Sequence, residues 1–355
     1  MSDVINLLQE EYGFHVFDQR EVGGRTILET DKGLYNLYIY PEGYRAKKKL
    51  VEQVKKHLTK QTDFSLLPVE KTKNNQSYLT VGDKMLYVQR GIREGHTADY
   101  AQATGESLAQ FHKSTSTLTG DAVYYPFRSQ GSWPSMWRKK INSFESMREN
   151  LERETREFTA FDEYLLTTYT YAHHMGDTAV QYLQANGYQQ VVKLTAGFGK
   201  IAFQNFDDGF LLFHENGSRK LAGEYSWVLD MRSRDIGQWI KGEIRRNGYN
   251  PAVICRFLDG YNHTEPLLNE EYAVIFSLLM YPGRFFRQVE MYDRMDRASF
   301  ETMELQEWTQ DLDQELLAME DAMRKFPALV KEAYGFVLPQ VDWLSREHSA
   351  LAGST

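Results

Sequence analysis

The stretch MLYVQRGIREG, residues 85–95, marks the point at which the hydrophobic pattern of the chain changes from strand to helix. Before it lie short β-prone runs separated by turn residues, such as GLYNLYIY at 33–40, which ends at a proline. A hairpin is predicted between 77–81 and 85–89, with a Gly-Asp turn. After it, beginning at 101–111, apolar residues recur at helical spacing.

This change of pattern predicts an α+β fold with two lobes. Residues 1–94 are expected to form a small β-rich N-lobe, and residues 95–355 a larger, mainly helical C-lobe. A basic, helix-prone segment at 44–60 interrupts the strands of the N-lobe. A β-like island at about 189–229, broken by Asp-Asp-Gly and Asn-Gly turns, interrupts the helices of the C-lobe.

Composition excludes several classes of protein. The 41 basic and 49 acidic residues give a net charge of −8, which argues against a nucleic-acid or anionic-membrane surface. The single cysteine, Cys255, excludes an internal disulfide. Residues 273–281, the longest apolar stretch, are too few to span a bilayer, and residues 1–14 lack the pattern of a secretory signal. We therefore expect synthesis in the cytoplasm and no membrane span.

Aromatic residues and lysines each leave two interpretations open. The 22 tyrosines, 20 phenylalanines and 6 tryptophans are typical of a ring-rich core, or of an insoluble assembly in which tyrosines are cross-linked. Residues 47–49 are all lysine, and Lys55 and Lys56 follow on the same predicted helix. That basic face is either solvated or the docking site of an acidic partner.

Several segments, in the same order along the chain, resemble motifs of aminoglycoside-phosphotransferase-like kinases. Within that fold the chain is similar to the spore coat protein S group of endospore-forming bacteria, and specifically to its YutH-like branch. The resemblance implies a two-lobed protein-kinase-like fold. The segments that carry it are DKGLYNLY at 31–38, YVQRGIREG at 87–95, GESLAQFH at 105–112, VLDMRSRDI at 228–236 and LMYPGRFFR at 279–287.

The resemblance also implies where phosphoryl-transfer groups should lie: a strand lysine, a loop of the form H-G-D-x-x-x-x-N, and a metal-binding aspartate. The lysine position falls on Tyr38, whose neutral phenol cannot replace an ammonium, so we expect its ring to fill the slot. The best loop register is 198–205, which puts Phe198 at the histidine and Lys200 at the aspartate. Only Asn205 is retained, as a weak candidate ligand.

Carboxylates are missing from the remaining positions of this site. No Asp or Glu occurs in residues 178–206 in either possible register of the loop, and the metal-binding aspartate is replaced by Gly223. Glu224 is adjacent and is a weak candidate to hold the metal after a register shift. On a strand, however, it would point to the opposite face. No catalytic residue and no metal ligand is therefore predicted.

The resemblance leads to two main hypotheses. The first is a catalytically inactive kinase-like protein, a pseudokinase without a cofactor, which serves as a structural or assembly component of the spore coat with other coat proteins as partners. The alternative is an active ATP- and Mg²⁺-dependent small-molecule or protein phosphotransferase with relocated groups, such as Glu224, Asp207 or Asp208. A third, different in class, is a small-molecule-binding module that uses the cleft.

Overall fold

The computed structural model describes residues 2–22, 25–40, 43–62, 64–82, 84–93, 95, 99–118, 125–198, 200–294 and 302–345. Within these residues the strands are β1 (Val16–Val22), β2 (Arg25–Thr30), β3 (Gly33–Ile39), β4 (Ser65–Leu66), β5 (Leu79–Val81), β6 (Lys84–Arg90), β7 (Ile201–Phe203), β8 (Leu211–Phe213), β9 (Arg219–Leu221) and β10 (Trp227–Leu229). The helices are α1 (Ser2–Tyr12), α2 (Tyr44–Gln61), α3 (Tyr100–Thr115), α4 (Trp133–Arg153), α5 (Ala160–Ala185), α6 (Tyr188–Phe198), α7 (Ser233–Asn247), α8 (Pro251–Thr264), α9 (Asn269–Met280), α10 (Gly283–Arg294), α11 (Thr302–Tyr334) and α12 (Asp342–Ser345).

The N-terminal strands form an antiparallel sheet in the order β1-β2-β3-β6-β5. The structure confirms the predicted β5–β6 hairpin, whose turn begins at Gly82 in the left-handed conformation, with φ 59°. It also confirms the strand that was expected from residue 33 and the basic helix that was expected from residue 44. The local patterns of this region therefore predict its elements well.

The two faces of this sheet have different roles. Helix α1 covers one face, because the alternation of the strands places apolar residues there. On the opposite face, Asn36 and Tyr38 of β3 pair with Gln89 and Tyr87 of β6. That second face carries the polar and aromatic groups of the candidate site. The apolar core on the first face consists of Leu8, Tyr12, Phe14, Leu28, Tyr35, Leu79 and Val88.

Two smaller sheets follow later in the chain. Strand β7 pairs with β10, and β8 pairs with β9, which is joined by β4 in parallel. The predicted β island at 189–229 is wrong for its first residues, because Tyr188–Phe198 is the helix α6. Tyr188, Val191 and Thr195 are buried at helical spacing, so this period outweighs the β-branched residues that suggested a strand.

The chain divides into two compact units, and their boundaries differ from the predicted division between residues 94 and 95. In the second unit, helices α4 and α5 pack together, and Trp137 stacks on Tyr281 with ring centroids 4.3 Å apart. None of the described helices is long and apolar enough to cross a bilayer. The first unit contains Met1–Arg128, Thr195–Trp239 and Arg256–Pro266, and the second contains Ser129–Leu194, Ile240–Cys255 and Leu267–Thr355.

Candidate functional site

The loop that should carry the catalytic groups lies later in the chain than the sequence suggested. Helix α6 continues to Phe198 and β7 occupies Ile201–Phe203, so the predicted register at 198–205 is wrong. The loop between β7 and β8 is 204–210, which contains Asp207. Because α6 is helical as far as Phe198, the loop begins later than predicted, at residue 204. The absence of Asp and Glu from residues 178–206 therefore does not mean that the loop lacks a carboxylate.

The residues assigned to the loop have other positions. The backbone N–H of Lys200 donates to Thr115 Oγ1 at 3.2 Å, and its Nζ donates to the carbonyl of Leu118 at 2.7 Å. Lys200 is therefore attached to the C-terminal end of α3. Asn205 is exposed in the turn directly after β7. The side chain of Phe198 lies outside the described part of the structure.

A buried polar cluster holds the start of this loop. Both carboxylate oxygens of Asp235 accept the N–H of Phe203, at 2.9 and 3.1 Å, and Oδ2 lies 2.9 Å from His112 Nε2. His112 Nδ1 is 2.7 Å from the hydroxyl of Tyr261. Burial, with a smaller contribution from the positive Arg232, holds the pKa of His112 well below its usual range. If the neutral imidazole of His112 donates from Nε2 to Asp235 and accepts from the Tyr261 hydroxyl at Nδ1, both ring nitrogens have a partner.

A buried cation that the sequence reasoning missed lies on β2. Arg25 is 5% exposed, and its Nη1 donates to Asn36 Oδ1 at 3.1 Å. A Cβ atom at Gly209 would lie 2.7 Å from Arg25 Nε, so a larger residue there would displace the arginine. Asp207 Oδ1 accepts the N–H of Gly209 at 2.7 Å. Arg25 lies two residues before the apolar Ile27, so the alternation of the strand places both side chains on the buried face. That position is the sequence signal that could have identified a buried arginine.

Aromatic rings surround Tyr38, which the sequence resemblance placed at the strand lysine. Tyr38 is buried, and its ring stacks on Tyr87 and Phe210 with centroids 5.2 and 6.3 Å away. The stack continues from Phe210 to Phe203 at 5.1 Å, and Tyr40 packs on Tyr87 at 4.3 Å. Burial raises the pKa of Tyr38 above its usual value, so the phenol is neutral. Together these rings form one continuous set of aromatic contacts next to β3 and β6.

Gly223, which the sequence resemblance placed at the metal-binding aspartate, is a left-handed glycine. Gly223 has φ 60° and ψ 37°, and its N–H donates to Gln89 Oε1 at 3.0 Å. A Cβ atom there would lie 2.1 Å from Cε1 of Phe210. The ring therefore fills the space that a side chain at residue 223 would need.

Glu224 does not follow the alternation of a strand, as the sequence reasoning assumed. It begins a 3₁₀ turn, Glu224–Ser226, and its side chain is 0% exposed. Oε1 accepts from Lys55 Nζ at 2.7 Å and Oε2 accepts from Gln89 Nε2 at 2.8 Å. The same Gln89 nitrogen also donates to the carbonyl of Leu67 at 2.9 Å. The carboxylate is thus held by one cation and one amide, and no local pattern in the sequence connects these three residues.

Comparisons with solved structures define the class of the fold. An aminoglycoside phosphotransferase from Alicyclobacillus acidocaldarius matches with a TM-score of 0.61 and 14% identity, covering 95% of this chain and 97% of that one. A spectinomycin phosphotransferase, solved with ADP and spectinomycin, matches with a TM-score of 0.56 and 14% identity, covering 89% and 98%. The chain therefore has the α+β, protein-kinase-like fold of the aminoglycoside phosphotransferases.

A family model gives the finer assignment. The family described as "Spore coat putative kinase YutH" matches residues 5–326, so the chain belongs to this family. The endospore coat-associated protein YutH of Bacillus subtilis is 24% identical over 198 residues, which are 54% of this chain. The match spans about half of that relative's length, 55%.

Replacing Gly223 with alanine should destabilise the protein more than the same change at another left-handed glycine. At Gly217, with φ 79° and open space around it, alanine adds only left-handed strain of about 1–2 kcal/mol. At Gly223 the collision with Phe210 adds about 1–3 kcal/mol. Urea unfolding of both variants measures the difference. Equal losses would mean that the ring does not fill this space.

Removing either partner of the Lys55–Glu224 pair should give unequal losses. Lys55→Met leaves a buried carboxylate without its cation and should cost about 3–5 kcal/mol. Glu224→Gln leaves a lysine whose side chain is 35% exposed and can reach water, so about 1–2 kcal/mol is expected.

The matched control for this comparison is Lys48→Met on the same helix. Lys48 is 60% exposed and lies 4.0 Å from Glu52, so its loss should change the unfolding free energy by no more than about 0.5 kcal/mol. If Lys55→Met costs as little as the control, the buried pair does not hold α2 in place.

Proposed function

We propose that this chain is a catalytically inactive kinase-like protein that works as a structural or assembly component of the endospore coat. The observation that carries the proposal is the Phe210 ring in the space next to Gly223, where a metal-binding side chain would have to lie. Phosphoryl transfer in this fold depends on a metal ion held against the nucleotide phosphates. A site packed with rings cannot hold that ion.

The surrounding groups support the same interpretation. Gly223 has no ligand atom, and both oxygens of Glu224 are already hydrogen-bonded, by Lys55 and Gln89. In the described part of the chain, no three His, Cys, Asp or Glu side chains lie close enough together to hold a metal ion. The groups at residues 223 and 224 therefore do not fit Mg²⁺.

The position of the strand lysine supports loss of nucleotide binding. Tyr38 offers a neutral, buried ring, and Asn36 beside it on the same face is 2% exposed. Arg25 brings a cation to this face, but its Nη1 is bound to Asn36. The groups that would contact phosphates are thus absent or engaged with each other.

The coat context rests on relatives. The family name refers to the spore coat, and the Bacillus subtilis relative is described as endospore coat-associated. By this proposal the chain is made in the cytoplasm, is delivered to the coat and contacts other coat proteins through its surface. Its retained scaffold around Asp235 supplies a stable kinase-like body for such contacts.

A second candidate is an active ATP-dependent phosphotransferase with relocated groups. One observation favours it: Asp207 lies in the loop between β7 and β8, and Arg25 lies beside this loop at Gly209. Such an enzyme would use Asp207 near the acceptor hydroxyl and a cation from β2 in place of the strand lysine. It would still need a metal position that Gly223 does not provide.

Titration with ATP and Mg²⁺ tests the loss of nucleotide binding. The thermal unfolding midpoint should not change, whereas a nucleotide at 100 times its Kd would stabilise the fold by about 2.7 kcal/mol and raise the midpoint by several degrees. Tripolyphosphate at the same concentration is the control for binding of phosphate alone. A saturable shift with ATP that tripolyphosphate does not produce, or ATP turnover that Asp207→Ala removes, would favour the second candidate.

Localisation tests the coat assignment separately. A fluorescent fusion of the full chain should collect at the surface of the developing spore and remain with the coat fraction of mature spores. Glu224→Gln should behave in the same way if no catalytic step is required, provided that it folds. A fusion that stays diffuse in the mother cell would contradict the coat assignment without restoring any argument for catalysis.

A further inference from the structure

Strand β1 forms one edge of the N-terminal sheet. Among the described strands it pairs with β2 alone, from Val16 to Val22, so the other side of its backbone faces away from the sheet. The edge of a sheet can accept a further strand through main-chain hydrogen bonds. Charged side chains on an edge strand usually prevent such pairing, so the signs and the spacing of the charges decide what this edge can accept.

The pairing with β2 fixes which main-chain groups of β1 face outward. Val22 pairs with Arg25, and two residues so close in the chain can pair only by exchanging main-chain hydrogen bonds. Along an antiparallel pair, residues that exchange such bonds alternate with residues that do not. The main-chain groups of Arg20 therefore also face β2, whereas those of Gln19 and Glu21 face away from it.

Two opposite charges flank Gln19 on this edge. Asp18 and Arg20 are both exposed, and neither has an ion-pair partner among the described residues. On β2, Asp18 lies opposite Glu29, which is also exposed. Like charges directly opposite each other in a sheet are unfavourable. Arg20 lies opposite the apolar Ile27, so its charge does not offset the two carboxylates.

An exposed aromatic ring lies at the start of the same edge. A β-bulge between Val16 and Asp18 leaves Phe17 without a partner residue on β2. The Phe17 ring is 64% exposed, the largest fraction for any described Phe, Tyr or Trp, and its centroid lies 5.4 Å from that of His15. Aromatic rings are enriched at protein interfaces, so this ring adds apolar surface to the charged edge.

We propose that β1 pairs with β1 of a second copy of this chain, antiparallel and centred on Gln19. In this register Asp18 lies opposite Arg20 of the second copy, and symmetry repeats the pair. Phe17 lies opposite Glu21, where the second strand covers its ring. Centring on Asp18, Arg20 or Glu21 would instead place like charges directly opposite each other. The charge pattern of the strand therefore selects a second copy in this register.

The expected dimer is a weak one. A contact limited to one strand of seven residues is smaller than the roughly 1,200 Å² buried in a stable interface, so pairing should require a high protein concentration. The two Asp–Arg pairs supply specificity of register more than affinity. The pairing requires neither the loss of catalysis nor the coat assignment proposed above.

Sedimentation equilibrium of the full chain over a range of concentrations measures this dimer. Asp18→Arg converts both symmetric pairs into Arg–Arg pairs and should raise the dissociation constant at least about tenfold. Arg20→Asp should do the same by creating two Asp–Asp pairs. Glu307→Arg, which makes the same change of charge at an exposed residue of α11, is the matched control and should leave the constant unchanged.

Two rescue experiments test the register itself. The double variant Asp18→Arg/Arg20→Asp exchanges the charges and should restore the wild-type dissociation constant. A mixture of the two single variants should also form a dimer, because each altered residue then faces an opposite charge in the other variant. A role of either residue within its own chain would not produce this rescue. Thermal unfolding should show Asp18→Arg to be no less stable than the wild-type protein, because it removes the like-charge contact with Glu29.

Three results would overturn the proposal. The first is the absence of any self-association of the wild-type chain. The second is a dimer of equal strength in the wild-type protein and in Asp18→Arg, which would mean that the copies meet elsewhere. The third is a failure of the double variant and of the mixture to pair, which would contradict the register. None of these results bears on the loss of nucleotide binding or on the coat assignment, which the ATP titration and the localisation experiment test.

Discussion

A fully buried carboxylate is the constraint on which the first unit depends. Glu224 has no access to water, and an ionised carboxylate in that environment costs several kcal/mol unless donors surround it. Lys55 and Gln89 supply those donors. Three elements therefore meet at Glu224: helix α2, strand β6 and the turn that follows β9. Hydrogen bonds, as well as packing, join the N-terminal sheet to this turn.

The same region separates what folding requires from what phosphoryl transfer requires. Asp235 still holds the amide of Phe203, and His112 still bridges Asp235 to Tyr261, so the start of the loop is fixed by buried hydrogen bonds. Tyr38, at the position that the sequence resemblance assigned to the strand lysine, is instead buried in the core. Rings at Tyr38 and Phe210 gain packing area there, which stabilises the fold.

Local patterns predicted much of the fold and only part of the site. The β5–β6 hairpin and the helix from Tyr44 follow from turn residues and hydrophobic period alone. The loop register failed because residues 188–198 combine β-branched side chains with a helical spacing of buried positions, and the period decided the structure. Arg25 was missed because only its place in the strand alternation signals its burial, and its partner Asn36 lies on the neighbouring strand β3.

By itself, the sequence determined which chemical groups two positions can offer: Tyr38 brings no ammonium and Gly223 brings no carboxylate, and no fold can change this. The tertiary structure alone decided the role of Glu224. Its partners lie 169 and 135 residues away along the chain, at Lys55 and Gln89, and such pairings leave no trace in local periodicity. The fold brings these two donors to the Glu224 carboxylate, which makes it a buried structural charge.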